Sequence, residues 1–543
     1  MSPADHLVIA PILLPLLAAA FMLVLSERRR WLKRLISLAT LSALAGVAIA
    51  LLTMVDAPGG APLAYRLGNW PAPFAITLVV DRLSALMLLL SASIGLCTLF
   101  YALARWDRAG PRFHPLFLLL TMGVNGAFLT GDLFNLFVFF EVMLAASYGL
   151  ALHGSGVERT KASLHYVAIN IATSLLFLIG IALIYAVTGT LNMADLAVRV
   201  PVLAGQELVL LESGAAILSI AFFVKAGMWP LGFWLTPTYA AAAAPVAATF
   251  AIMSKVGIYA IVRLSALAFG PASGLAAGFA NEWLMAGGLA TMAFGAIGML
   301  AASRLSGIGG SYILLSSGTL LVATGTGSAP VLAGALLYLV SSTLGVCAMY
   351  LLIEPVERAA DIDREAAQRQ SEPVFEDDEP GLLMEEYEAE EEEDEIGIVI
   401  PATIALLGSA FIFCALLMAG LPPLSGFIAK FAIIDGMLSG LPAMGTGGWT
   451  AIAAILLSGL ATLIAMTRAG ISLLWVPVDR PQAHLRVVEA MPIALLLALC
   501  LALVIGAGPV TRYMKDTAAA LHDPGRYAGA VLDPALQPPE RRR

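Results

Sequence analysis

One carboxylate and three amines interrupt long apolar runs of this chain, and they are the side chains best placed to do chemistry. Glu141 lies in GDLFNLFVFFEVMLAASYGLAL (Gly131–Leu152), near the middle of a stretch long enough to span a bilayer. Lys225, Lys255 and Lys430 each stand alone inside another apolar segment. A charge at the bilayer centre costs roughly 2.5–3.5 kcal/mol on insertion scales, so such residues persist mainly where they line ion or proton pathways. Burial disfavours the charged form of a carboxylate and of an amine alike, and an opposite charge nearby restores it. A Glu–Lys pair whose separation changes can therefore hand a proton onward. Glu141 with Lys225 is the expected pair; Lys255 and Lys430 are the expected continuation. The competing reading of each lysine is a structural ion pair or an anchor that reaches the headgroups. In ATFAIMSKVGIYAIVR, Arg263 is expected to take that interfacial role and leave Lys255 deeper.

The elements that position these residues follow from composition. With 59% hydrophobic and 13% charged residues and a mean hydropathy of +0.88, the chain is too apolar for a water-facing surface. An all-α polytopic membrane protein is the expected class. Fourteen apolar runs of helical length recur, at about 7–25, 35–55, 78–103, 115–131, 133–152, 163–187, 214–229, 240–267, 283–302, 307–325, 331–353, 397–420 (continuing, broken, to 439), 449–476 and 489–511. Pro230 and Pro237 interrupt the chain after Lys225, and Pro422-Pro423 split the segment that carries Lys430. Proline removes a backbone donor, so broken helices in lipid are expected to line a cavity. Trp229, Trp234 and Trp283 suit interfacial belts.

Basic residues cluster in alternate loops. Ser26–Arg34 carries five, Arg105, Arg108 and Arg112 follow the third run, Arg159 and Lys161 the fifth, and Arg480 and Arg486 precede the last. Basic loops stay in the cytoplasm, which predicts both termini outside. The acidic insert at 354–395 then falls on the cytoplasmic side and reads as a solvated, loosely structured loop. The polar tail from Lys515 is expected on the outer surface or against a neighbour. Cys97, Cys347, Cys414 and Cys500 are scattered singly, with no ligand spacing, so no metal site is indicated. No nucleotide loop or nucleophile constellation points to a cofactor or to a soluble-type enzyme, and no nucleic-acid partner is expected.

GDLFNLFVFFEVMLAASYGLAL, HYVAINIATSLLFLIGIALIYAVTGTLNMADLA, VKAGMWPLGFWL and GLPPLSGFIAKF together resemble the D-type subunit of the Mrp-type (Pha-type) multisubunit cation/proton antiporters, which is similar to the antiporter-like subunits of respiratory complex I. The likeness covers nearly all of residues 1–515. It implies about fourteen helices with two inverted five-helix repeats, each holding one broken helix. The divisions are then 1–114 (first three helices), 115–267 and 283–476 (the repeats, the second containing the acidic insert), and 489–543 (last helix and tail). The family's essential glutamate falls on Glu141, its neighbouring lysine on Lys225, its central lysine on Lys255 and its second-repeat lysine on Lys430. In many relatives the eleventh helix carries a histidine and a lysine in a pattern like YLxHSxxK. Here YLVSSTLGVCAMY puts Ser341 and Gly345 in those places, so the middle of the path would depend on water with Ser341, Ser342 and Thr343. His165 could join the cytoplasm to the Glu141–Lys225 pair, and Asp435 the outer exit to Lys430. The resemblance implies a proton-translocating subunit of a Na⁺ or K⁺/H⁺ antiporter in the bacterial inner membrane. It would be partnered by the other antiporter subunits and by lipid, with no metal and no cofactor. A proton-pumping membrane-arm subunit of a complex I-like oxidoreductase or membrane hydrogenase is the alternative. The acidic insert and the SST stretch favour the antiporter.

Overall fold

The computed structural model describes residues 5–74, 76–371, 402–474 and 485–532. The described residues are helical almost throughout. It opens with α1 (Ala10–Val24) and α2 (Arg30–Asp56), then a short hairpin, β1 (Leu63–Arg66) antiparallel to β2 (Thr77–Val80), in which Leu63 faces Val80 and Arg66 faces Thr77. There follow α3 (Arg82–Ala102), α4 (Phe113–Leu129), α5 (Leu133–Ala151), α6 (Val157–Thr188), the short α7 (Met193–Arg199), α8 (Gly205–Ala226), the short α9 (Leu235–Ala241) and α10 (Ala244–Leu267). The rest comprises α11 (Asn281–Ala301), α12 (Leu305–Gly325), α13 (Ala329–Ser371), α14 (Ala402–Ala419), α15 (Ser425–Leu474, kinked at Gly445), α16 (Val487–Ile505), α17 (Ala507–Leu521) and α18 (Pro524–Val531).

Among the described residues eleven helices are long and apolar enough to cross a membrane. Three shorter apolar helices, Ala10–Val24, Phe113–Leu129 and Thr403–Ala419, coincide with other expected runs. Helix starts follow local chemistry. The Asp81 side chain accepts from the Ser84 backbone N–H to begin α3, and Asp132 accepts from that of Asn135 to begin α5. The apolar windows of α10 and α13 are entirely buried, whereas those of α2 and α6 are only one third buried. The centre of the bundle is therefore α10 with α13, and the outer helices turn apolar side chains away from the protein, as a lipid-facing surface requires.

The two ends of the bundle are built differently. At one, Arg34 grips Asp107 through two hydrogen bonds of 2.5 and 2.9 Å, and Arg358 joins Glu354 to Glu489. Burial alone would raise the Asp107 carboxyl, but His114 and Arg34 beside it outweigh that and hold it below the usual carboxylate range. Glu354 also receives Arg105 and, at 2.7 Å, the Trp106 indole N–H. The first turn of the acidic insert is thus a helical, ion-paired continuation of α13 rather than a solvated loop. Residues 372–395 of the insert lie outside the described residues, as does Arg480.

At the other end Arg263 is buried, not interfacial. It makes a two-pronged pair with Asp81, and its guanidinium lies over the rings of Tyr259 and Tyr527. A partner 182 residues away in sequence removes the reason for this arginine to reach the headgroups. The tail folds back over this pair. Tyr513 donates to the Arg82 carbonyl (2.7 Å), Arg66 donates to that of Val531, and Tyr527 is buried.

Candidate functional site: a row of buried lysines

Two helix breaks set the geometry. α8 ends at Gly227 (φ 76°) and α14 at Gly420 (φ 78°), both in the left-handed region that glycine tolerates best. Lys225 lies just before the first break, and Lys430 shortly after the second. Gly257 on α10 allows the end of α8 to press close: a Cβ there would meet the Ala226 nitrogen at 2.9 Å and the Lys225 Cβ at 3.0 Å.

Glu141, half-buried on α5, does not form an ion pair with Lys225 among the described residues. Between them stands α6. The Ser174 hydroxyl donates to Glu141 Oε1, and one turn earlier Asn170 Oδ1 accepts from Lys225 Nζ at 2.5 Å. Asn170 is held in turn by its Nδ2, which donates to the Tyr166 carbonyl at 2.7 Å, and the Tyr166 hydroxyl meets that of Ser147. Glu141 and Lys225 are therefore linked through a two-residue polar bridge. Neither Asn170 nor Ser174 stands out in the sequence, although Tyr166, Asn170 and Ser174 recur at the four-residue spacing that marks one helix face.

Lys255 is fully buried on α10, and its Nζ donates to Ser316 Oγ on α12 at 2.5 Å. Lys430 is buried on α15 and donates to the Ala419 carbonyl, freed by the break, at 2.9 Å. Ser341 of α13 shares a 2.8 Å hydrogen bond with Ser425, the first residue of α15. Ser342 and Thr343 are buried and bond the Leu339 carbonyl of their own helix.

Two accessory residues lie apart from this row. His165 is exposed and bonds the Lys161 carbonyl, because its neighbour Tyr166 takes the inward face. Asp435 is exposed on α15 and makes no ion pair with Lys430 among the described residues. Trp234 is buried rather than interfacial: its indole N–H donates to the Val224 carbonyl and its ring stacks on Tyr166. All four cysteines are free and buried, and no His, Cys, Asp or Glu grouping among the described residues could hold a metal ion.

Residues 130–376 match the family described as NADH:quinone oxidoreductase/Mrp antiporter, TM. The chain is 51% identical over 542 residues, 97% of its length, to the D subunit of a probable K(+)/H(+) antiporter of Rhizobium meliloti, covering 98% of that protein. The chain belongs to the D-type antiporter subunit family. The D subunit of the Na(+)/H(+) antiporter of Alkalihalophilus pseudofirmus is 34% identical, with 97% of this chain and 99% of that protein covered. Among solved structures, a chain of the Mrp complex from Dietzia sp. DQ12-45-1b superposes with a TM-score of 0.81 at 25% identity, over 98% of this antiporter subunit and 100% of the other. D-type antiporter subunits are transporter components rather than enzymes, and the fold is the polytopic antiporter-like one.

Proposed function

We propose that this antiporter subunit carries protons across the bacterial inner membrane for a multisubunit monovalent-cation antiporter, by a relay through Glu141, Lys225, Lys255 and Lys430. What supports it is that three lysines, each with little or no exposure, all have a polar partner: Asn170, Ser316 and the Ala419 carbonyl. α5, α6, α8, α10 and α12 pack in succession, and α13 packs against both α12 and α15, so the row runs through contiguous helices. Ser174 and Asn170 complete its Glu141 end, and Ser341 with Ser425 bridges α13 to the second break. Fourteen spans, two inverted repeats (115–267 and 283–476) and flanking regions 1–114 and 489–543 are the proposed organisation.

Both termini are assigned to the outer side. The basic loops gather at one end of the bundle, where Arg34 meets Asp107, Arg105 meets Glu354 and Arg486 donates to the Ala104 carbonyl. The other antiporter subunits and lipid are the partners. The exchanged cation is Na⁺ or K⁺, and the K(+)/H(+) name of the 51% identical relative makes K⁺ the first to assay. Everted vesicles bearing the whole complex with Glu141→Gln should lose pH-dependent exchange while the complex still assembles. Undiminished exchange there would falsify the role given to Glu141.

A further inference from the structure

Two cavities open at opposite ends of the same three helices. One, of about 950 Å³, lies at the end where the basic loops gather. Its wall includes the first residues of α10 and α12 (Ala244 and Leu305), together with Tyr350 and Glu354 of α13. The other, of about 310 Å³, takes in Ser265 near the end of α10, Thr324 near the end of α12 and Leu332 near the start of α13, with His522 of the tail at its rim. Lys255 sits about midway between them, roughly 15 Å of helix from either mouth at 1.5 Å per residue. Its hydrogen-bond partner, Ser316, lies at the matching depth on α12.

The seam contains buried polar groups without a hydrogen-bond partner among the described residues. Tyr350, at the floor of the larger cavity, is 2% exposed, and its hydroxyl has no hydrogen-bond partner among the described residues. Its hydroxyl end lies close to Gly309, two turns along α12 from Ser316. Beside Ser316, the fully buried Ser317 hydroxyl is likewise without a partner among the described residues. A buried hydroxyl is normally satisfied by protein or by an ordered water. Tyr350 stands between the larger cavity and Ser316, and Ser317 lies one residue beyond Ser316 towards the other cavity, so hydroxyls that ordered water would satisfy flank the amine's partner on both sides. The larger cavity carries four arginines (Arg105, Arg159, Arg304, Arg358) against three glutamates, with no surplus negative charge to hold a metal cation.

We propose that the α10–α12–α13 seam is a proton route of its own, along which Lys255 exchanges protons with the two faces in turn through the Tyr350 cavity and the Thr324 cavity. It rests on Lys255 belonging to the relay proposed above. It adds that this lysine reaches bulk water directly, and not only through Lys225 and Lys430. The packed middle keeps the two cavities separate in this conformation.

The seam is tested by thiol accessibility, which requires no transport. The four native cysteines are buried, so the parent chain is the blank. Tyr350→Cys and Thr324→Cys are introduced singly into the complete complex and treated with a membrane-impermeant methanethiosulfonate in everted and in right-side-out vesicles. Each should react about tenfold faster than the parent, as a wetted thiol does against a packed one, and from opposite faces. Reaction no faster than the parent, or from one face only, overturns the proposal. Tyr350→Phe keeps the ring and removes the unpartnered hydroxyl. Exchange should slow about fivefold, the rate equivalent of one net hydrogen bond, in a normally assembled complex. An unchanged rate also overturns it. If Glu141→Gln leaves exchange intact while both thiols label as expected, the place of Glu141 in the relay fails and the seam, which needs only Lys255, stands.

Discussion

The two helix breaks use one backbone device and two ways of finishing it. At each, a glycine in the left-handed region ends the helix, and the following N–H reaches back five residues: Met228 to the Phe223 carbonyl at 2.9 Å, Leu421 to the Leu416 carbonyl at 3.0 Å. At each, a second glycine is pressed against a carbonyl: a Cβ on Gly232 would meet the Gly227 oxygen at 2.1 Å, and one on Gly426 the Leu417 oxygen at 2.1 Å. The donors that answer the freed carbonyls differ. In the first break the Gly227 N–H and the neutral indole of Trp234 both donate to the Val224 carbonyl, which leaves Lys225 to turn towards Asn170. In the second the ammonium of Lys430 is itself the cap on Ala419. One lysine is thus spared for the polar bridge to Glu141, while the other serves architecture and charge together.

Substitutions at the two breaks separate these duties. The largest effect is expected from Lys225→Ala, which removes the amine but no cap. Exchange in vesicles should fall at least about 100-fold, as for loss of a proton-transferring group, with the amount of assembled complex unchanged. Lys430→Ala should lose exchange comparably and also destabilise the subunit by about 1–3 kcal/mol, the cost of leaving a buried carbonyl unanswered, read as a lower melting temperature in detergent. Equal stability of the two variants would erase the distinction between the breaks. Trp234→Phe should cost less stability, about 1 kcal/mol, because the Val224 carbonyl keeps the Gly227 N–H, and should reduce exchange only a fewfold. Ser341→Ala removes one buried hydrogen bond to Ser425, for about 1 kcal/mol and a small fall in exchange.

Asp107 supplies a control remote from both breaks. Its carboxyl is held low by His114 and Arg34 against the opposing effect of burial. Its contribution to stability is therefore present above the unfolded carboxylate pKa and lost as pH falls through the lower folded value. Asp107→Asn should flatten the acid limb of a stability–pH curve without moving exchange at neutral pH.

How much of the site is legible in the sequence depends on how each residue signals itself. An ionisable group inside an apolar run is costly, and Glu141, Lys225, Lys255 and Lys430 stand out by that cost. Prolines mark both breaks. Ser174, Asn170 and Ser316 give no such signal, because small polar side chains are cheap in a helix and gain a role only from what packs opposite them. His165 and Tyr166 show the limit of reading residue types without faces: about 100° of helix separates them, and the tyrosine is the one that points inward. Arg263 departs from the interfacial role expected of it because its partner Asp81 is far away in sequence, and pairing at that range is set by packing. Trp234 caps a carbonyl instead of joining an aromatic belt, a duty created by the helix break and invisible in residue type alone.

The tail has a consequence for how the subunit is made. Asp81 and Arg263 are synthesised well before Tyr527, which roofs their ion pair and leaves the ribosome only after every helix that carries the buried lysines. Until then this end of α10 keeps a charged seam unsealed, so a chain released short of α18 should be a substrate for membrane quality control even though every helix of the proposed relay has already been inserted.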